Sequence, residues 1–194
     1  MHQHQSKNPD LGFIPESKLV QSAGDGSFYE YGIKQNGYIQ QLIKTADLQL
    51  QPFSDIEHEL VSALQDKDND MVYRALIVAT SYKSQAKKLS KQVKELLNNS
   101  QSIPVKSRAL EFLVLVDDME PTQTFYSLYN QASHDLEKVE LLNIATLLKE
   151  KKQYSFEKPN GLEFTTDRSK PLAFKVNTWL KNRWEYLSMK PVSY

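Results

Sequence analysis

The chain has 194 residues with 24 basic and 24 acidic side chains, enough length for one well-cored domain and no net field to steer it onto nucleic acid or an anionic membrane. At 40% apolar, 25% charged and 10% aromatic residues, its composition is that of a soluble globular protein rather than a disordered or fibrous one. It has no cysteine, which excludes thiol nucleophiles, disulfides, Cys-based zinc sites and redox pairs, and leaves the compartment undecided.

Residues 1–10 are Gln- and His-rich without periodicity and predict a disordered tail. His2 and His4 lack the preorganised further ligands a metal site requires, so no metal or cofactor is expected. The polar start carries no apolar segment of signal-peptide type, and no apolar run approaches the roughly 20 residues of a membrane span. A cytoplasmic location is therefore expected, with the periplasm or secretion as the alternative if a leader has been removed.

Residues 11–52 form an N-terminal cap segment rich in turn formers: Pro15, Gly24-Asp25-Gly26, Gly32 and Asn36-Gly37. Between them Phe28-Tyr29-Glu30-Tyr31 alternates as a short strand does, and Asn-Gly suits a tight hairpin turn. A helix follows over 38–47, with Ile39, Leu42, Ile43 and Ala46 on one face, and after Pro52 either Ser54 or Asp55 is placed to cap the next helix.

Residues 53–152 contain three apolar-periodic pairs: 54–65 with 70–82, 84–97 with 103–116, and 121–132 with 135–151. Laid over one another at a period of about 32 to 34 residues, they bring Leu60 over Val93 and Phe125, Leu64 over Leu97 and Tyr129, and Leu76 over Leu110 and Leu142. The fold class this predicts is mostly α: a short α-solenoid of three helical hairpins, each burying on its neighbour a face it cannot bury alone. Any three antiparallel amphipathic hairpins of similar length also align to some degree, so a helical bundle is the competing architecture.

Residues 153–194 predict a C-terminal β-hairpin and a capping helix. Tyr154–Glu157 and Leu162–Thr165 alternate around Pro159-Asn160-Gly161, and a helix capped by Ser169, with Pro171 in its first turn, carries Leu172, Val176, Trp179, Leu180, Trp184 and Leu187. Core packing is the expectation for Trp179 and Trp184, an aromatic ligand platform the alternative.

The segments Met71-Val72-Tyr73-Arg74-Ala75-Leu76 and Val105-Lys106-Ser107-Arg108-Ala109-Leu110, each after a polar turn, resemble the inner helix of the HEAT-repeat pattern. The likeness spans the central half of the chain. The third unit departs from it, with Glu140 where the others have Arg74 and Arg108, and the second lacks the turn Asp. The period would also suit tetratricopeptide repeats, but none of the units has their first-helix Gly. A HEAT-like array implies a curved scaffold for binding other macromolecules and brings no active-site residues with it.

The remaining chemistry is sparse. Asp66-Lys67-Asp68-Asn69-Asp70 begins like a calcium loop but has Met71 where the Gly belongs and Ile77 where the bidentate Glu belongs, so a helix-capping turn is the better reading. His58 and His134 have no spacing that suggests a shared metal or a Ser–His dyad, and Gly24 and Gly26 lack the context of a phosphate loop. Lys83, Lys87, Lys91 and Lys94 fall on one stripe of a predicted helix, and residues 83–108 carry a local balance of +6 against −5 for residues 54–70.

These features predict a non-catalytic scaffold or adaptor that binds another protein, with Tyr73, Arg74, Lys106, Arg108 and Glu140 on the second helices and the lysine stripe as contact residues. An enzyme or ligand-binding protein, with a pocket between the N-terminal aromatic segment and the C-terminal Trp helix, is the alternative. A nucleic-acid binder through the lysines is a second, weakened by the lack of aromatic stacking groups beside them.

Overall fold

The computed structural model describes residues 52–190. The tail, the strand at 28–31, the Asn36-Gly37 turn and the helix at 38–47 expected from the sequence lie outside the described residues. Within them the protein is mostly helical: α1 (Phe53–Leu64), α2 (Asn69–Ser81), a 3-10 segment (Lys83–Leu89), α3 (Ser90–Asn99), α4 (Ile103–Asp117), α5 (Thr122–Gln131), α6 (Asp135–Lys152) and α7 (Pro171–Ser188).

Local chemistry sets the boundaries. Asp68 caps α2 by accepting the Asp70 N–H at 3.0 Å, and Ser102 caps α4 by accepting the Val105 N–H at 3.2 Å, with Pro104 in the first turn. Glu137 reaches back to the His134 N–H at 3.3 Å and the Ser133 N–H at 3.0 Å, closing the start of α6. Helix α1 starts one residue before the expected caps, with Pro52 ahead of Phe53, because burying Phe53 against Tyr82 (ring centroids 5.5 Å apart) draws that residue into the first turn. Lys170 rather than Ser169 precedes α7; the Ser169 hydroxyl is engaged by Asp167 at 2.6 Å.

Two expectations are corrected. The predicted helix 84–97 begins instead as a 3-10 segment, whose first residue, Lys83, is in the left-handed region (φ 56°). Its buried residues, Ala86 and Leu89, are three apart, the spacing that three residues per turn brings to one face. The C-terminal hairpin is not formed: no strand occurs among the described residues. Gly161 adopts φ 82° while Asn160 does not enter the positive-φ region, and Leu162 N–H bonds Pro159 O at 3.3 Å. A turn with positive φ only at its third residue splays its flanks instead of pairing them. The Phe156 N–H bonds instead to Leu187 O at 2.9 Å, pinning this irregular segment to α7.

Helix α4 is buried nearly all round and sits at the centre. Its Val105, Ala109, Phe112, Leu113 and Val116 join the core with α1, α2 and the 3-10 segment, while Ile103, Leu110 and Val114 join a second core with α5, α6 and α7. The second helices of the three pairs lie side by side, α2 on α4 and α4 on α6, and α7 packs on α6. The α4 and α6 axes point the same way, since Arg108 meets Glu140 in their first halves and Asp118 meets Lys152 at their C-terminal ends. No helix among the described residues is long and apolar enough to cross a membrane.

Helix α6 ends on Gln153 in the left-handed region (φ 61°), where an exposed side chain gains nothing to offset the crowding of its Cβ. Gln153→Gly is expected to stabilise the protein by about 0.5–1 kcal/mol, raising Tm by about 2 °C in a thermal melt. A lower Tm would show that the cap is not left-handed.

Candidate functional site

The residues singled out on the second helices come together, but inward. The Arg108 guanidinium is 0% exposed and spans three helices. Its Nε donates to the Tyr73 hydroxyl of α2 at 3.1 Å and to Glu140 Oε1 of α6 at 3.2 Å, and its Nη1 donates to Glu111 Oε1, one turn along α4, at 3.0 Å. The Tyr73 hydroxyl in turn donates to Glu140 Oε1 at 2.5 Å. Arg108, expected as an exposed contact, and Tyr73, expected as an aromatic anchor for a partner, are therefore core residues, and the side chain of Glu140, also expected as exposed, is only 11% exposed. The correction has a plain cause: an Arg on the face that one helix turns to its neighbour is tolerated only with its charge paired and its donors filled. Glu140, the departure from the repeated Arg, supplies that pairing.

Burial pushes the Tyr73 hydroxyl well above its ordinary value; Arg108 opposes the shift and Glu140 adds to it. Burial alone would weaken the Arg108 charge, but the Tyr73 oxygen, Glu111 and Glu140 outweigh it and hold the guanidinium charged. The folded Tyr73 value lies above the ordinary 10.0, so stability is intact below pH 10 and lost as the pH rises beyond it. The loss expected from this one group is about 1.4 kcal/mol per pH unit. Urea midpoints between about pH 9 and 12 should fall less steeply in Tyr73→Phe than in the parent; equal slopes would show that the hydroxyl is not protected.

Of the other candidates, Arg74 is exposed and Lys106 partly exposed. The lysines do not make a free stripe. Lys87 and Lys94 converge on Asp117 at 3.8 and 3.3 Å, and neighbouring Lys88 pairs with Glu57 at 3.3 Å, while Lys83 and Lys91 are exposed. Lys83 leaves the line because the 3-10 segment turns by 120° rather than 100° per residue. Asp66 and Asp68 accept backbone N–H groups two residues on, at 2.8 and 3.0 Å, as a capping turn does. No group of three or more metal-ligating side chains occurs among the described residues.

Trp184 is wholly buried among Phe125, Tyr126 and Tyr129, and its Nε1 donates to the Tyr129 hydroxyl at 3.3 Å, so it is a packing residue. Trp179 is half-buried, with the Arg183 guanidinium 4.9 Å from its ring centroid. The N-terminal half of the pocket envisaged beside these residues lies outside the described residues.

Sequence reasoning missed Glu111 and Asn143, both buried, three residues beyond Arg108 and Glu140 on the same helical faces. The available signal was polar side chains recurring inside the most apolar helices. Comparison with models of known protein families, with curated proteins and with solved structures finds no match to this chain.

Proposed function

We propose that this protein is a non-catalytic protein–protein interaction scaffold, built as a short α-solenoid of HEAT-like hairpins whose surface captures another protein. One observation carries the reading: polar contacts between successive pairs join residues a nearly constant distance apart in sequence. Lys88 reaches Glu57 and Gln92 reaches the Val61 carbonyl at a separation of 31, Arg108 reaches Tyr73 at 35 and Glu140 at 32, and Lys152 reaches Asp118 at 34. Such a recurring offset is what stacking of one repeated unit produces, since each unit touches chiefly the next.

The second helices spend their central polar groups on one another, which leaves Arg74 and Lys106 as their outward candidates, together with Lys83, Lys87, Lys91 and Lys94 at the 3-10 segment and α3. Opposite-sign faces on adjacent units would orient a partner through on-rate and specificity more than through raw affinity. Charge reversal by Lys87→Glu with Lys91→Glu is expected to leave unfolding free energy within about 0.5 kcal/mol of the parent, because both lysines are exposed and Asp117 keeps its closer partner, Lys94 at 3.3 Å. The same variant should lose a protein that the parent captures from an extract of its host. Salt-sensitive retention on DNA or RNA that disappears in the variant would overturn the reading in favour of a nucleic-acid binder.

A further inference from the structure

The seam between α4 and α6 holds three buried polar atoms without a hydrogen-bond partner among the described residues: Arg108 Nη2, Glu111 Oε2 and Asn143 Nδ2. Their residues are 0%, 1% and 3% exposed. An unmade hydrogen bond on a buried group, above all a charged one, is costly enough that native structures rarely carry one, and three in one seam point to a common partner.

Geometry brings the three together. A guanidinium is planar, so Nη2 shares one edge with Nη1 and the other with Nε. Nη1 is held by one oxygen of Glu111 at 3.0 Å and Nε by one oxygen of Glu140 at 3.2 Å. Nη2 therefore lies between two carboxylates that each make a single-point contact to the guanidinium. The free Glu111 oxygen sits beside the bonded one, on the rim of the same contact. Asn143 follows Glu140 by one turn of α6, as Glu111 follows Arg108 on α4. Because the two helices run the same way with matched contacts 32 and 34 residues apart, Glu111 and Asn143 stand opposite each other in the seam.

Two donors and one acceptor define the ligand. An anion would meet Glu111 and Glu140, and a cation would meet Arg108 and the Asn143 N–H, so neither suits the set. We propose that the seam binds one internal water molecule, which accepts from Arg108 Nη2 and Asn143 Nδ2 and donates one hydrogen to Glu111 Oε2. Two to four polar partners in a buried polar site are what an internal water requires. The molecule completes the junction between the second and third hairpins, which apolar packing alone leaves unfinished.

A crystal structure of the full chain resolving ordered solvent should show a water at about 2.7–3.2 Å from Arg108 Nη2, Glu111 Oε2 and Asn143 Nδ2. Oxygen-17 magnetic relaxation dispersion of the solvent should count one long-lived water fewer in Asn143→Leu than in the parent, and Asn143→Ala repeats the measurement should the leucine variant fail to fold. Direct two-point pairing of Nη2 with Glu111 Oε2, or equal dispersion amplitudes in parent and variant, would overturn the proposal.

Discussion

Replacing Arg108 with methionine is expected to lower the unfolding free energy by about 3–5 kcal/mol, because it removes the cation that pairs with both Glu111 and Glu140. Methionine fills much of the space left by the aliphatic stem, so lost volume is the smaller part of the cost. The larger part is that Glu111, 1% exposed, and Glu140, its side chain 11% exposed, lose their counter-charge where bulk solvent cannot replace it. The combined variant Arg108→Met, Glu111→Leu, Glu140→Leu tests the cause: with all three charges gone, stability is expected to return to within about 1 kcal/mol of the parent or to exceed it. Urea denaturation followed by circular dichroism measures both. A single variant that costs under about 1 kcal/mol would mean that the guanidinium is open to bulk solvent, contrary to its burial.

That arrangement also separates what could be read in the sequence from what could not. Helix positions were legible because apolar spacing and caps agree there: the pairs expected at 54–65 with 70–82 and at 121–132 with 135–151 correspond to α1 with α2 and α5 with α6. The orientation of the polar residues was not. Arg108 and Arg74 look alike in the aligned units, yet one is wholly buried and the other exposed. On α2 the inward place is taken by the neighbouring Tyr73, a one-residue difference that turns a helix face by 100° and that alignment of the apolar positions does not reveal. The expected β-hairpin failed for a related reason. Alternation at Tyr154–Glu157 reports which residues face the core, and Phe156 does face it, but the pairing partner turned out to be the end of α7. Asn-Gly predicts a turn, and the turn formed; its type decided against the strands.

At the other end of the second core, Trp184→Ala is expected to cost about 3–5 kcal/mol. The indole is 0% exposed, edge-on to Tyr129 at 5.1 Å and Phe125 at 5.8 Å, and it anchors α7 through its bond to the Tyr129 hydroxyl. Trp184→Phe keeps most of the ring area and loses the N–H donor, so a cost of about 1–2 kcal/mol is expected. Trp179→Ala, at a half-buried ring, is expected to fall below Trp184→Ala, and a reversal of that order would mean that α7 is rotated about its axis. Where the destabilisation is felt bears on the proposed architecture. In a stack where each hairpin touches chiefly its neighbours, loosening α7 should lower amide-exchange protection first in α5 and α6, then in α4, and least in α1 and α2. A single cooperative core would lose protection equally throughout. The two cores share α4, whose opposite faces enter one each, and the Tyr73–Glu140 bond and the half-buried Leu97 and Met119 also bridge them, so a graded loss identifies this seam as the joint through which one half of the molecule senses the other.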